Sequence, residues 1–387
     1  MRYTIQTEDQ LILRDGKPFG DEGLFGGTSC SWVMPQTLAG MVRTAIGFAQ
    51  DPNYFLSEDN KKNILEVGIE KILDSALIGE KHIPLAPIPS DMILTQNEQN
   101  DMLTANIMDF APVPNGCGTD IKNPDWLLPT IDTIGKPSKN LPFRLKWDFF
   151  KQYLNGEVKS SSEHMFTSIG IGSPITETRV HNSIDEHTLL TEDGRLFSNK
   201  GLYLYAQDGV NVKVPLSISY EITGLKRSVN HEGNFHLGGE RKTVWVTKSD
   251  DSFPVYESSF YKQKFLKLVL MSYGSFGGWC PQWLMPDLSA GSINYVVIPG
   301  TNIKVRLRSA CVSGWEGISG WDYAIKKPKP MKKLVKPGSV YLIEVFDEKD
   351  SQAVADYFWG SALGESSETR EGFGLVVVAS AKNQISE

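Results

Sequence analysis

Short apolar runs, each bounded by glycine or polar residues, constrain the fold of this chain more than any other feature. Residues 265–271, 340–346 and 375–378 each have the pattern of a buried β-strand. Amphipathic helical stripes are few, and they do not alternate regularly with these runs. Regular alternation would predict a doubly wound parallel sheet, so the pattern favours an α+β fold.

The segment 35–47 carries the clearest helical pattern. Its apolar residues fall on one stripe at helical spacing: Leu38, Met41, Val42, Ala45 and Ile46. Pro35 suits the first helical position, and Gly47 can end the helix. The glycine-rich residues 16–28 predict a preceding loop, so the N–H groups of the helix start could face an anion, or the loop itself could cap them. Arg43 could reach a phosphate or form an internal ion pair.

Other segments give further predictions. Residues 61–78 and 143–154 have helical patterns. Residues 165–222 are β-rich, and strands that flank a polar stretch predict a protruding hairpin at 179–197. Residues 84–142 are rich in Pro, Asn and Asp, which indicates long loops. Since so long a loop segment is unusual inside a compact domain, we interpret it as an interaction insert.

Composition excludes several classes of protein. Of the 387 residues, 40% are hydrophobic and 22% are charged, unlike a disordered or collagen-like chain. No apolar run reaches the roughly 20 residues of a membrane helix, and the N-terminal residues lack a signal peptide's apolar core. Four cysteines without CxxC spacing argue against a zinc ribbon or disulfide scaffold. We expect a cytoplasmic protein with reduced thiols and no membrane partner.

The net charge of −7 hides a segregation of charge along the chain. Residues 323–340 contain six lysines and no carboxylate: Lys326, Lys327, Lys329, Lys332, Lys333 and Lys336. The stretch that follows, as far as Glu371, is acidic. A chain sorted in this way can hold an anion on one face and a protein on another, although two solvated loops explain the pattern equally well.

Common catalytic signatures are missing from the sequence, which has no HExxH, GxSxG or Walker motif. Neither His181 with His187 nor His231 with His236 has the spacing of metal ligands on one helix or strand. We therefore expect no catalytic residue, no metal site and no cofactor. By elimination, the chain is interpreted as a binding protein.

Glycine turns beside basic residues are the positive signals for binding. The Gly-Phe-Gly of residues 372–374 follows Arg370, so its N–H groups could approach a phosphate closely. The glycine pair at 238–239, next to Arg241, is similar, and a tight hairpin turn explains either motif without a ligand. Four tryptophans in glycine-rich surroundings could stack on unpaired bases or pack in cores and interfaces. They are Trp279, Trp283, Trp315 and Trp321.

Eight motifs occur in one order along nearly the whole chain. They are RDGKPF at 14–19, WVMPQTLAGMVRTA at 32–45, RVHNSID at 179–185, LGGER at 237–241, ISGWD at 318–322, PKP at 328–330, PGSVY at 337–341 and GFG at 372–374. In this order they resemble the third subunit of the Cmr effector complex of type III-B CRISPR systems, a member of the RAMP superfamily.

The resemblance implies two ferredoxin-like (RRM-like) RAMP modules. The first spans residues 1–235, with an insert at about 84–142 and a β-hairpin thumb at about 179–197, and the second spans residues 236–387 with a glycine-rich loop. It also implies a non-catalytic role in antiviral defence. Such a subunit holds the 5′ handle of the guide RNA, and it contacts the large polymerase-palm subunit and the repeating backbone RAMP subunit.

The resemblance carries RNA contacts over to the helix at 37–43, the base of the thumb and the loop at 372–374. Together with the lysine and glycine signals, the candidate RNA-binding residues are Thr37, Arg43, Arg179, His181, Gly238, Gly239, Arg241, Lys326, Lys327, Lys329, Lys332, Lys333, Arg370, Gly372 and Gly374. The thumb tip, residues 185–191, departs from the family because it is acidic and lacks a small Thr-Gly-rich step. The segment 84–142 matches none of the family's motifs.

Two other functions stay open at this point. A RAMP-type endoribonuclease that processes the guide precursor needs a histidine general base, for which His82 and His181 are the candidates. A β-rich structural or carbohydrate-binding module could instead use the aromatic residues. Binding of RNA that responds to salt separates the preferred function from the last of these.

Overall fold

The computed structural model describes residues 1–13, 30–96, 102–114, 116–117, 119, 121, 123–132, 136–185, 187–208, 212–225, 230–256, 259–289, 291–322, 327–364, 367–382 and 384–385. The fold is a strand-rich mixture of helix and strand, with 42% strand and 17% helix. Within this described part of the chain, every helix is too short or too polar to span a lipid bilayer.

The described helices include one long helix and four short ones. They are α1 Pro35–Gln50, α2 Glu58–Asn63, α3 Trp147–Leu154, α4 Phe166–Ile169 and α5 Ser351–Phe358. Pro35 occupies the first helical position, and the predicted apolar stripe of α1 packs into the core. The helix runs past Gly47, where a Cβ would lie 2.6 Å from the Phe55 ring. Gly47 is therefore needed for close packing and does not end the helix.

The strands pair antiparallel throughout. In chain order they are β1 Arg2–Gln6, β2 Gly68–Ile78, β3 Lys81–Ala86, β4 Met92–Gln96, β5 Met102–Ile107, β6 Asp109–Ala111, β7 Leu128–Thr130, β8 Arg144–Lys146, β9 Ser162–Met165, β10 Gly170–Ile171, β11 Pro174–Ile184, β12 Thr191–Asp208, β13 Val212–Thr223, β14 Gly233–His236, β15 Thr243–Lys248, β16 Phe265–Leu270, β17 Val296–Val297, β18 Lys304–Cys311, β19 Trp315–Ile318, β20 Trp321–Asp322, β21 Lys327–Pro328, β22 Lys332–Val335, β23 Val340–Val345, β24 Ser361–Ala362 and β25 Leu375–Ser380.

Two large sheets organise these strands. The first has ten strands, in the order β10-β8-β3-β2-β13-β1-β15-β14, with β11 and β12 attached through β13. The second has six strands, in the order β17-β18-β23-β16-β25-β24. Helix α1 packs on the first sheet, and α5 contributes to the core of the second. A core of apolar residues from both sheets and from α3 lies between them, so the two halves are joined by buried contacts.

The sheet pairing crosses the expected module boundary. Residues 233–248 belong to the first sheet, because β15 pairs with β1 and with β14. The second sheet begins only at Phe265. The expected boundary at residues 235–236 therefore falls within the first sheet. The division into two modules itself stays a prediction.

Three segments differ from the sequence-based predictions. The helix expected over residues 61–78 is wrong, because the helical turns end at residue 66 and strand β2 occupies Gly68–Ile78. Strand β2 starts at Gly68, which packs against the backbone of Arg370. A Cβ at this position would lie 2.5 Å from the Arg370 carbonyl oxygen, so a side chain does not fit. The helix expected over 143–154 begins at Trp147, after strand β8. The long loops expected over 84–142 include strands β4 to β7, and several of their residues are buried in the shared core.

The predicted hairpin is present and is longer than expected. Strands β11 and β12 pair from Pro174 with Ala206 to Ile184 with Thr191. At the tip, the Asp185 carboxylate accepts hydrogen bonds from the Thr188 backbone and hydroxyl and from the His187 N–H, and these bonds lower its pKa. The tip therefore keeps its negative charge near neutral pH, which disfavours contact of the tip with RNA.

His231 illustrates a structural histidine and gives a first prediction. Its ring is buried, lies 2.7 Å from the Tyr220 hydroxyl through Nε2, and stacks on Phe235. Burial lowers its pKa from 6.5 to about 4. The unfolded chain therefore binds a proton that the folded chain does not, and stability falls as the pH drops below about 6.5 towards 4. Between pH 7 and 5 we expect a loss of about 2 kcal/mol from this group.

Urea unfolding of the wild type and His231→Gln at both pH values measures this effect. The variant should show a smaller drop between pH 7 and pH 5, whereas the exposed His187→Gln should behave as the wild type. An equal drop in all three proteins would assign the acid sensitivity to other groups.

Candidate nucleic-acid interface

A basic cleft of about 250 Å³ lies where four segments distant in sequence meet. Helix α1 lines it, together with Leu65, residues at 318–319 and 329–332, and the residues before the terminal strand. Its lining residues are Gln36, Arg43, Leu65, Ile318, Ser319, Lys329, Pro330, Lys332, Arg370 and Glu371. Four of these side chains are basic and one is a carboxylate, so an anion is favoured in the cleft.

Helix α1 is tied to the lysine-rich segment through Gln36. The Gln36 amide donates a hydrogen bond to the Ser319 carbonyl at 3.0 Å. On the other side of Ser319, its hydroxyl donates to the Lys329 carbonyl at 2.6 Å, and the Lys329 N–H donates to the Gly320 carbonyl. These bonds fix the backbone of the lysine segment beside the first turns of the helix.

Arg43 joins helix α1 to the residues that precede the terminal strand. Its Nε donates to the Val67 carbonyl at 2.9 Å, and its Nη1 pairs with Glu371 Oε1 at 2.6 Å. The guanidinium is only partly exposed and lines the cleft. Of the two roles open from the sequence, the structure thus provides the internal ion pair, at the wall of the cleft.

Arg370 and Glu371 precede the Gly-Phe-Gly turn and place it beside the cleft. Arg370 pairs with Glu66 at 2.9 Å, and both side chains are exposed. The turn itself is buried: the Gly372 N–H donates to the Thr369 carbonyl and the Gly374 N–H to the Tyr273 carbonyl. The expectation that these N–H groups approach a phosphate is therefore corrected, because the fold already uses them.

Positive φ angles explain why residues 372 and 374 are glycines. Their φ angles are +86° and +81°, and a Cβ at Gly372 would lie 2.3 Å from Ile72 Cδ1. A side chain is thus excluded by conformation at both positions and by space at the first. The motif forms the tight turn that connects Arg370 to β25.

Backbone N–H groups at the start of helix α1 are also used by the fold. The backbone N–H groups of Thr37 and Leu38 both donate to the Met34 carbonyl, so they are not free for an anion. Thr37 lies half-buried on α1 and is not among the cleft's lining residues. The preceding glycine-rich loop and the motif at 14–19 lie outside the described residues.

A second group of candidate residues lies at the base of the hairpin, apart from the cleft's lining. Arg179 pairs across the hairpin with Asn199, whose amide donates to Glu240 in the turn after residues 238–239. The Gly239 N–H donates to the Ile12 carbonyl, so it too is used by the fold. Arg241 is exposed in this turn.

Charge at the hairpin base is largely balanced. Arg179 donates to Glu177 Oε2 at 2.9 Å and to the Tyr203 hydroxyl at 3.0 Å, and the Tyr203 hydroxyl donates to the same carboxylate. These hydrogen bonds lower the pKa of Glu177 and keep the carboxylate ionised. His181 lies two residues after Arg179 on β11 and is paired in register with Phe197 on β12. The group is less basic than the cleft.

The remaining lysines of the segment differ in their placement. Lys326 lies outside the described residues. Lys327 and Lys336 are exposed near the small two-stranded sheets, and the Lys333 ammonium lies 4.8 Å from the centroid of the Trp315 ring. No group of three or more His, Cys, Asp or Glu residues within the described ranges could hold a metal ion.

Comparison with protein families identifies the chain. A family model described as CRISPR-associated protein (Cas_Cmr3) matches residues 3–380. The chain belongs to this family. The match confirms the resemblance drawn from the eight motifs, and it extends over both sheets.

Solved structures similar to this Cas_Cmr3-family chain come from CRISPR effector complexes. A chain of the Type III-B Cmr-beta complex bound to cognate target RNA and AMPPnP, state 1, is 14% identical over 92% of this chain and 88% of that one, with a TM-score of 0.46. A chain of Cmr-beta bound to cognate target RNA is 15% identical over 100% and 98%, with a TM-score of 0.42. One from the Csm3-Csm4 subcomplex of the type III-A interference complex is 9% identical over 88% and 92%, with a TM-score of 0.36. A search of curated proteins gives no match.

Some cleft residues of this Cas_Cmr3-family chain were not expected from its sequence. Gln36 carried no signal, because an amide that bonds a backbone carbonyl 283 positions away has no local pattern. Glu371 lines the cleft and pairs with Arg43, while Glu66, outside the cleft's lining, pairs with Arg370 and lies within the segment 61–78 that was expected to be a helix. Glu371 follows Arg370 directly in the sequence, and this was the one local indication of ion pairs in the wall of the cleft.

Proposed function

We propose that this Cas_Cmr3-family chain is a non-catalytic, RNA-binding subunit of a type III-B CRISPR effector complex, and that its basic cleft holds the 5′ handle of the guide RNA. The observation that carries the proposal is the cleft itself. Arg43, Lys329, Lys332 and Arg370 come from three distant segments and line one concave surface. A merely solvated lysine loop would not be hydrogen-bonded to helix α1, which is itself ion-paired through Arg43 to Glu371.

The cleft's chemistry suits the phosphates of a single strand. The Arg43 and Arg370 charges are partly neutralised by Glu371 and Glu66. Lys329 and Lys332 add two positive charges to the cleft, and as flexible point charges they follow a backbone without a fixed geometry. Sequence discrimination then comes from the bases, which an unpaired strand can present to the protein.

The strand orders support two ferredoxin-like modules. Four neighbouring strands of the first sheet are ordered β2-β13-β1-β15, and four of the second are ordered β18-β23-β16-β25. If the four strands of each half are numbered 1 to 4 along the chain, both sheets have the order 2-3-1-4. A helix follows the first strand in the first half (α1) and the third strand in the second half (α5). We infer that each module keeps one of the two helices of such a βαββαβ unit.

We also propose contacts with the large polymerase-palm subunit and with the repeating backbone subunit. Exposed apolar side chains along the hairpin support a contact with a neighbouring macromolecule, because such a patch is unusual on a free surface. They are Val180, Ile184, Leu189, Leu190 and Leu196. The acidic tip beside them favours a protein neighbour over RNA at that point.

Co-purification tests this function. An affinity-tagged chain is expressed with the other effector subunits and a CRISPR array, and the bound RNA is sequenced from its 5′ end. We expect a ribonucleoprotein whose guides share one 5′ end and one repeat-derived leader. Recovery of the assembled proteins without guide RNA, or with RNA of random 5′ ends, would contradict the proposal.

A further inference from the structure

An exposed tryptophan stands on the small two-stranded sheet that also forms one wall of the cleft. Trp315 is 57% exposed, a large fraction for this side chain. In the β19–β22 pair it faces Val335, and Gly317 faces Lys333. Ile318 and Lys332, the next pair along the ladder, line the cleft. Because successive side chains of a strand point to opposite faces, Gly317 and Lys333 lie on the face away from the cleft.

Trp315 and Met331 both border Gly317. A Cβ built at Gly317 would lie 3.4 Å from the Trp315 ring and 3.5 Å from the sulfur of Met331. The glycine therefore leaves the ring and the thioether side by side, with no side chain standing between them. Met331 is itself 61% exposed. Exposed aromatic side chains are the groups on which unpaired nucleobases stack.

Charge around the ring selects an anionic occupant. The Lys333 ammonium lies 4.8 Å from the ring centroid, and Lys327 and Lys336 are exposed nearby in the chain. The sequence from 323 to 340 contains no carboxylate. A protein surface that met this patch would need complementary acids, whereas an RNA strand brings a base for the ring and phosphates for the lysines.

We propose that Trp315, with Met331 and Lys333, is a stacking site for an unpaired RNA base next to the cleft. The site rests on the proposed function, because it takes a base of the strand whose phosphates lie in the cleft. An RNA strand that leaves the cleft past Lys332 passes the edge of the β19–β22 sheet. Trp315 is exposed on the face of that sheet that lies away from the cleft. The long Lys333 side chain can then turn from the ring to a phosphate.

Fluorescence anisotropy with the full-length chain tests the site. The probe is a fluorescein-labelled, unstructured single-stranded RNA of about 12 nucleotides, measured over a range of salt concentrations. Trp315→Ala should weaken binding roughly 5- to 100-fold, with the salt slope of the wild type, because it removes stacking and no charge. Trp315→Phe should retain most of the affinity. The matched control is Trp245→Ala, since Trp245 is 50% exposed on β15 and should not affect binding.

The outcomes separate the stacking site from the proposed function. If Trp315→Ala binds like the wild type while Lys329→Glu/Lys332→Glu loses binding, the cleft stands and the stacking site is overturned. The stacking site is also overturned if Trp315→Ala keeps its RNA affinity but no longer co-purifies with partner subunits, because the patch is then a protein contact. If the wild type binds no RNA, alone or with its partners, both proposals fail. Crosslinking of 5-iodouridine-substituted RNA to Trp315 would support the site independently.

Discussion

Replacing Lys267 with methionine is expected to lower the free energy of unfolding by about 3–5 kcal/mol. Lys267 and Asp91 are both completely buried, and their Nζ and Oδ2 atoms lie 2.9 Å apart. The Tyr153 hydroxyl donates to the other carboxylate oxygen at 2.6 Å, and the ammonium lies 4.2 Å from the Tyr153 ring centroid. Removing the lysine leaves a carboxylate without its counter-charge in the core between the two sheets.

Urea unfolding of three variants measures this effect. Lys264→Met is the matched control, because Lys264 is half-exposed, precedes the same strand and pairs with Glu344 at 3.6 Å. Loss of this half-exposed lysine should cost less than about 1 kcal/mol, because the buried Glu344 keeps its ion pairs with Arg306 and Arg308. The triple variant Lys267→Met/Asp91→Leu/Tyr153→Phe should recover most of the loss, since an apolar replacement leaves no buried charge. Equal stabilities of Lys267→Met and Lys264→Met would show that the buried pair contributes little.

The same pair shows what a local sequence pattern cannot indicate. The apolar run at 265–271 correctly predicted strand β16, and the lysine in its middle gave no sign of its partner. Asp91 lies 176 positions away, in a segment that the sequence analysis interpreted as loops. Strand patterns are local, and they predicted three of the six strands of the second sheet, namely β16, β23 and β25. Pairings between distant segments depend on the tertiary fold.

The error at residues 61–78 has the same origin. Its apolar residues fit a helical stripe, but the backbone of β2 is held between β13 and β3. The sheet overrides a helical pattern that no tertiary contact supports. By contrast, helix α1 was predicted correctly, because its stripe, its proline and its burial all favour one structure.

The candidate site was predicted in part. Lys329, Lys332, Arg43 and Arg370, all predicted to bind RNA, line one cleft, and their RNA contacts stay a prediction. The glycines at 372 and 374 were assigned direct contacts, whereas their N–H groups serve the turn that places Arg370. A Gly-x-Gly motif specifies a backbone conformation, and it does not reveal on its own whether the N–H groups face a ligand or the protein.

Reversing two charges of the cleft is expected to reduce RNA affinity on the order of 100-fold. Lys329→Glu/Lys332→Glu turns two attractions for phosphate into repulsions on one wall of the cleft. Both lysines are exposed, so the fold should tolerate the change. Anisotropy titrations of single-stranded RNA at one fixed salt concentration measure the loss, and thermal unfolding checks that the variant is folded.

The chain offers a matched control for this change. Lys136 and Lys139 are also exposed and three positions apart, and neither lines the cleft. Lys136→Glu/Lys139→Glu alters the net charge of the protein equally. The control should keep RNA affinity within a few-fold of the wild type, because distant exposed charges are screened by salt. If both pairs reduce affinity alike, net charge rather than the cleft governs binding.

The salt dependence of RNA binding tests most directly whether distant segments form one phosphate-binding cleft. The logarithm of the association constant is measured against the logarithm of salt concentration for the wild type, Lys329→Gln/Lys332→Gln and Lys136→Gln/Lys139→Gln. Each lost phosphate contact lowers the slope by about 0.7 for a single strand, so the cleft variant should lose about 1.4 and the control nothing. A wild-type slope in the cleft variant would contradict the account.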